Sequence, residues 1–349
     1  MKSQPLLHIT DLWVTYWSHS FLGLMARPFH AVKGANLSIR PGETLGLVGE
    51  SGSGKTSIAN AVLGLVSSSA GSIRFGDAEL TTMKTRYPAA IRHQIQAVFQ
   101  DPYSSLNPSM TVEDIVTEPL RVHTALKRSE RRDRAVELLE RVSLSPEHLD
   151  RHPHQFSGGQ RQRIAIASAL ALEPKLIVLD EPVSALDVST QNQIINLLHE
   201  RRDALGIAYL LIAHDLALIH HISDRIAVMY LGHIVEERPS DRVYEAPAHP
   251  YTQALLDAVP LLDPEAQRQR RAARKSAPVL ETPRMAVSGC PYQNRCPSVM
   301  PRCQAEIPRA YAIADGGTAN CFLFAVEADT RSGLSQPAAP GQEGARASR

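Results

Sequence analysis

Between residues 6 and 16 apolar side chains alternate with polar ones, with Leu7, Ile9, Leu12 and Val14 as the apolar positions. Such a pattern predicts an edge or half-buried strand. Residues 17–30, with Gly23 and Pro28, read as a loop, and 31–39 as a second strand region. Pro41-Gly42-Glu43 is a turn signal. The unbroken apolar run Leu45-Gly46-Leu47-Val48 behind it predicts a buried strand over 44–48. A helix is expected over 57–63, a turn over 67–71, and strands over 72–75 and 95–99. Between about 101 and 156 the spacing turns helical and strongly charged, over 112–122 and 131–142, and reads as a helical insertion. Helix 159–172, strand 176–180, helix 189–204, strand 208–213, helix 215–222 and strand 226–230 then alternate. That order predicts a parallel sheet with crossover helices.

Beyond Pro247 the pattern weakens. One short helix is expected over 251–259. Residues 264–275, with Arg268, Arg270, Arg271, Arg274 and Lys275, read as a solvated basic linker. Residues 330–349 are rich in Ser, Ala, Pro, Gly and Gln and are expected to be disordered. The organisation expected is a main domain over 1–246, an extension over 247–329, and the tail.

At 349 residues and 43% hydrophobic content the chain has material for one large or two modest domains with a sizeable core. A net charge of +1 gives no global excess pointing to nucleic acid. No apolar stretch approaches the roughly 18 residues of a membrane span. Met1-Lys2-Ser3-Gln4-Pro5 leads into a strand-like run without an apolar signal region, so a cytoplasmic chain attached to a membrane only through partners is expected.

Candidate chemistry begins after the strand at 44–48. Gly49-Glu50-Ser51-Gly52-Ser53-Gly54-Lys55-Thr56 lies between that strand and a helix starting with Ser57. This is the spacing of a phosphate loop. Its glycines let backbone N–H groups turn around a polyphosphate, and the helix start adds partial positive charge. Lys55 suits the β- and γ-phosphates and Thr56 suits Mg²⁺. A Gly/Ser-rich turn matching by chance is the competing reading, and the flanking strand and helix weigh against it.

Leu176-Ile177-Val178-Leu179-Asp180-Glu181 is a buried-type strand ending in two carboxylates. Alone this is an ordinary strand end. Beside a phosphate loop, Asp180 suits the Mg²⁺ shell and Glu181 a general base for water. Phe156-Ser157-Gly158-Gly159-Gln160 opens another helix and offers a second anion-binding start, a weak signal by itself.

In this order the motifs resemble the ATP-binding subunits of ABC transporters over residues 6 to about 240. Tyr16 sits where that family places an aromatic against adenine, although Trp17 and Phe29 are close by. Residues 49–56 resemble Walker A, Gln100 the Q-loop glutamine, and residues 157–160 the signature motif, with Phe156 where Leu is commoner. Asp180-Glu181 resembles Walker B with its catalytic glutamate, Ser184-Ala185-Leu186-Asp187 the D-loop, and His214 the switch histidine. The resemblance implies an α/β fold: an ABC-type P-loop ATPase domain, made of a RecA-like core with an antiparallel β subdomain and a helical subdomain, plus a small C-terminal extension. It also implies Mg²⁺ and ATP. Two cassettes would close face to face, with Ser157, Gly158 and Gly159 reaching the γ-phosphate held by the opposite loop. Glu181 would act as base, His214 would contact the γ-phosphate and attacking water, and Gln100 would sense the metal and water. Thr56, Asp180 and Gln100 would hold Mg²⁺, and Gly49 to Ser57 the phosphates.

Phe99-Gln100-Asp101-Pro102-Tyr103-Ser104-Ser105-Leu106-Asn107-Pro108 and His249-Pro250-Tyr251-Thr252-Gln253-Ala254-Leu255-Leu256 resemble the oligopeptide/dipeptide importer branch, with nickel or other small solutes as alternatives. That branch implies two integral membrane permeases, a second ATPase that is often a paralogue, and an extracytoplasmic solute-binding protein. It implies a peripheral position on the cytoplasmic face of the inner membrane. A soluble ABC ATPase acting on nucleic acid or translation is the competing function; the single cassette and short insertion weigh against it. Cys290, Cys296, Cys303 and Cys321 are spaced C-x₅-C-x₆-C-x₁₇-C, unlike the C-x₂-C of common zinc sites. Some relatives carry a [4Fe–4S] cluster on this extension; a cluster, zinc and free thiols all remain open, while disulfides do not suit a cytosolic chain.

Overall fold

The apolar run at 44–48 forms a central strand of the larger of two sheets. The computed structural model describes residues 4–18, 27–83, 87–259, 265, 268 and 288–325. The expected disorder of 330–349 lies outside the described residues, as do nearly all of the basic linker at 264–275 and the part of the expected loop over 19–26.

The strands are β1 (Leu7–Ser18), β2 (Arg27–Ile39), β3 (Thr44–Val48), β4 (Ala70–Phe75), β5 (Ala78–Glu79), β6 (Ile95–Val98), β7 (Leu176–Asp180), β8 (Ala208–Ala213), β9 (Arg225–Tyr230), β10 (His233–Pro239), β11 (Tyr311–Ala312) and β12 (Thr318–Ala319). The helices are α1 (Lys55–Val62), α2 (Ala89–Gln94), α3 (Pro102–Ser105), α4 (Val112–His123), α5 (Arg128–Arg141), α6 (Gly158–Leu170), α7 (Val188–Leu205), α8 (Leu216–His220), α9 (Ser240–Glu245), α10 (Pro250–Ala258) and α11 (Pro301–Ala305).

The larger sheet runs β11-β12-β10-β9-β3-β8-β7-β6. Its β9-β3-β8-β7-β6 portion is parallel, as the strand–helix alternation predicts. Leu45, Leu47 and Val48 are fully buried in its centre, each contributing about 1.5–3 kcal/mol by leaving water. The smaller sheet, β2-β1-β4-β5, is antiparallel. In β1 the apolar positions change parity between Ile9 and Leu12, yet all four are buried. The cause is a bulge at Asp11, whose φ is +46, which turns the following residues back to the core. The expected loop over 17–30 is shorter than read: β1 continues to Ser18 and β2 starts at Arg27, because the two strands pair through Trp17 and Pro28.

The insertion is helical as expected. Thr111 caps α4 by accepting a hydrogen bond from the Asp114 N–H at 3.2 Å. Val116, Leu120, Leu138 and Leu139 pack with Ile164 of α6 in the main core. β10 to β12 were not among the expected elements. The extension adds its two short strands to the sheet edge, with Ala319 opposite Glu236. Beneath them Arg238, 2% exposed, pairs with Glu236 at 3.3 Å and Asp315 at 2.7 Å and donates to the Ala246 carbonyl. Tyr251, Tyr292 and Phe322 join the same hydrophobic cluster as Tyr230. Among the described residues no helix is long and apolar enough to cross a membrane.

Candidate active site

After Val48 the chain turns through the glycine-rich loop, and α1 starts at Lys55 rather than at 57. Lys55 and Thr56 therefore stand in the first turn, where free backbone N–H groups and the helix dipole favour an anion. Close packing explains two of the glycines. A Cβ on Gly49 would come 2.1 Å from the Met229 carbonyl oxygen, and one on Gly54, at φ +111, would come 2.3 Å from that of Ala31. Lys55 is 5% exposed, and its Nζ donates to the carbonyls of Gly49 at 2.8 Å and Glu50 at 3.0 Å. Burial lowers its pKa, while Glu181, Asp180 and Glu50 act to hold its charge.

β7 delivers Asp180 to the loop, where the Thr56 hydroxyl donates to its Oδ1 at 3.5 Å. Burial raises the Asp180 pKa, against the pull of Thr56 and Lys55. Glu181 follows in the left-handed region at φ +48, an uncommon conformation for a residue with a side chain. Gln100 Nε2 donates to Glu181 Oε2 at 3.0 Å, and His214 Nδ1 lies 3.2 Å from the same oxygen. Three side chains from the ends of three neighbouring strands, β6, β7 and β8, thus meet at one oxygen.

Tyr16, about one-third exposed at the end of β1, donates from its hydroxyl to Ser57 Oγ at 3.3 Å. Ser157 to Gln160 stand apart. Ser157 is exposed and caps α6, accepting from the Gln160 N–H at 3.3 Å, while the Ser157 N–H donates to the Gln160 side chain at 3.1 Å. Gly159 lies against α7, where a Cβ would come 2.3 Å from Thr190 Cγ2. Asp187, in the D-loop stretch, caps α7, and hydrogen bonds from Thr190 hold its pKa down.

Two residues of the extension also reach the loop. The Glu50 N–H donates to the Tyr251 hydroxyl at 3.0 Å, and Arg295 Nη1 donates to the Glu50 carboxylate at 3.0 and 3.3 Å. Neither was singled out from the sequence for this role. The available signal was Glu50 itself, a carboxylate inside an anion-binding loop, which calls for a cation nearby.

A phosphate loop on a parallel sheet, a carboxylate pair at the end of the next strand but one in that sheet and a second glycine-bearing helix start define a P-loop ATPase of the ATP-binding-cassette class. The chain matches the ABC transporter family over residues 32–184 and the oligopeptide/dipeptide transporter C-terminal region over residues 235–303. It belongs to the ABC transporter ATP-binding family, in the branch carrying that C-terminal region. It is 48% identical over 311 residues to the oligopeptide transport ATP-binding protein OppF of Salmonella typhimurium, covering 88% of this chain and 93% of that protein. It is 43% identical over 325 residues to the putative oligopeptide transport ATP-binding protein YkfD of Bacillus subtilis, covering 93% and 97%. Among solved structures it is similar to the dimeric post-hydrolysis state of the ATP-binding cassette MJ0796 bound to ADP and Pi. The TM-score is 0.60 at 30% identity, covering 67% of this chain and 98% of that one. The chain is accordingly an ABC-type ATPase.

The cysteines do not carry the cluster expectation. Cys290, Cys303 and Cys321 are buried, Cys296 is half-buried, and none forms a disulfide. Burial pushes the thiols of Cys290 and Cys321 up to about 11, and the neighbouring cysteines add to the rise. Among the described residues no group of three or more His, Cys, Asp or Glu side chains is placed to hold a metal ion. The residues present do not fit an iron–sulfur cluster or zinc as they stand.

Proposed function

We propose that this chain hydrolyses ATP to drive uptake of di- or oligopeptides through a membrane ABC transporter. The convergence of Gln100 and His214 on Glu181, one strand end away from the Lys55 loop, carries the chemical half of this reading. The C-terminal region matched over residues 235–303, and relatives named for oligopeptide transport, support the peptide half.

In this reading Tyr16 lies against adenine. Gly49, Glu50, Ser51, Gly52, Ser53, Gly54, Lys55, Thr56 and Ser57 cradle the phosphates. The Thr56 hydroxyl and Asp180 carboxylate offer hard oxygen donors of the kind Mg²⁺ takes, with Gln100 as a third. Bound there, Mg²⁺ would neutralise phosphate charge. Glu181 takes the proton of the attacking water, and His214 orients water and γ-phosphate. Ser157, Gly158, Gly159 and Gln160 serve the nucleotide of a second ABC ATPase, a paralogue in the usual arrangement. Two integral permeases hold the pair at the cytoplasmic face of the membrane, and an extracytoplasmic binding protein delivers the solute. A role on nucleic acid or in translation finds no support among the relatives, which are named as transport proteins. An iron–sulfur cluster on Cys290, Cys296, Cys303 and Cys321 would need all four thiols deprotonated on binding. Iron and sulfide analysis of anaerobically prepared protein tests it, and absence of both excludes it.

The functional test uses membrane vesicles containing the whole transporter. Labelled oligopeptide should enter only with ATP. Glu181→Gln should cut turnover by roughly 10²–10⁴-fold while ATP still binds. Turnover near wild type removes Glu181 as the base, and uptake of nickel without peptide removes the peptide assignment.

A further inference from the structure

Glu50 is the one residue of the phosphate loop whose side chain carries the same charge as the ligand the loop is built to hold. Its carboxylate is not left to repel that ligand. Arg295 Nη1 reaches both carboxylate oxygens, at 3.0 and 3.3 Å, from 245 residues downstream. The Glu50 peptide is gripped separately. Its N–H donates to the Tyr251 hydroxyl at 3.0 Å, and its carbonyl accepts from Lys55 Nζ at 3.0 Å. One residue thereby links the extension to the lysine that faces the phosphates.

The two gripping side chains are themselves fixed. Tyr251 is fully buried, with its ring 4.5 Å from that of Tyr230 and 5.4 Å from that of Tyr292. The Arg295 guanidinium lies 5.7 Å from the Tyr292 ring centre and 5.9 Å from that of Tyr230. Its backbone N–H donates to the Tyr292 carbonyl, and the Cys290 N–H ties the same segment to the Cys303 carbonyl at 2.7 Å. A planar cation packed beside two aromatic rings loses little further freedom on pairing with a carboxylate.

We infer that Arg295 and Tyr251 are positioning residues for ATP binding: Arg295 neutralises Glu50 and Tyr251 fixes its peptide, so the extension sets the nucleotide affinity of the cassette. This rests on the reading of the loop as an ATP site. Neither residue touches the reacting atoms, so the effect falls on binding and not on the chemical step.

Binding of a non-hydrolysable fluorescent ATP analogue to the full-length chain tests this, together with ATP turnover in the assembled transporter. Arg295→Ala should raise Kd and KM about tenfold, the effect of losing one charge-assisted contact, with kcat within about threefold of wild type. Arg295→Lys should recover part of the loss, because it keeps the charge without the planar fork. Tyr251→Phe should raise Kd by a few-fold. The decisive variant is Arg295→Ala combined with Glu50→Gln, which removes the carboxylate left uncompensated and should restore most of the affinity. No gain in the double variant over Arg295→Ala means a merely structural role and overturns the inference. Wild-type affinity in Arg295→Ala, with binding lost in Lys55→Ala, overturns the inference and leaves the site reading standing. Unchanged binding in Lys55→Ala overturns the site reading itself. If Arg295→Ala does not fold, a folded double variant supports charge compensation, and an unfolded one counts against it.

Discussion

Two helices of this chain begin with Ser and Gly residues, and they are built in opposite ways. The start of α1 has no side-chain cap and bends through Gly54 at φ +111. Its lysine is buried and feels three carboxylates, and residues from β2 and β9 and two from the extension press on the loop before it. The start of α6 is exposed and satisfies itself through the reciprocal bonds of Ser157 and Gln160. A helix start with free N–H groups inside a fixed cradle is ready for an anion on its own chain. A self-capped start facing solvent keeps its polar groups satisfied until something else arrives. Similar residue types are therefore arranged in different ways, and the surroundings decide how.

The largest way to break this contrast is at the buried end. Lys55→Ala should lower ATP affinity of the full-length chain by at least about 100-fold, the scale for truncating a buried charge with fixed partners. Calorimetric titration checks it, and an affinity close to wild type would mean that the cradle does not hold the phosphates.

A second change sharpens the contrast from the α6 side. In Gly159→Ala the new methyl meets Thr190 of α7, and overpacking of that kind costs about 1–3 kcal/mol. The melting temperature should fall while ATP affinity at the phosphate loop stays near wild type. A matched loss of affinity would show that the two helix starts are not independent.

The smallest expected effect concerns acid. His249 caps α10, the helix that brings Tyr251 to the loop, by accepting the Tyr251 N–H at 3.0 Å. Burial lowers its pKa from 6.5 to about 4. The folded state therefore binds the proton less readily than the unfolded state. Stability is complete above about pH 6.5 and is lost progressively as pH falls toward 4. Between about pH 7 and pH 5 this amounts to on the order of 1–2 kcal/mol. Asn in place of His249 keeps a capping acceptor without the titration. Its melting temperature should fall less steeply over that interval, and parallel curves for the two proteins would refute the assignment. His233, also lowered to about 4, adds acid sensitivity of the same sign that remains in the variant.

Much of this contrast was legible in residue order. The strands at 44–48, 176–180 and 208–213 are apolar runs that need no tertiary context, and the strand ends carry Glu181 and His214 at fixed offsets. What stayed hidden is non-local. The bulge at Asp11 is read only once both neighbouring strands are seen, and β11 and β12 are two residues each, too short for any period. Arg295 sat in the sequence as a spacer between cysteines. Its partner lies 245 residues away, and only folding brings the two together. The exposed, self-capped state of Ser157 was likewise invisible, since Ser-Gly-Gly at a helix start is compatible with either arrangement.

The division of tasks between the two helix starts is tested most directly at Ser157. The isolated full-length chain carrying Ser157→Arg, at concentrations too low for assembly, should bind a fluorescent ATP analogue as wild type does. The same substitution in the assembled transporter should collapse ATP turnover. Loss of binding by the isolated Ser157→Arg chain, matching that of Lys55→Ala, would place the signature residues on the chain's own nucleotide and contradict the division.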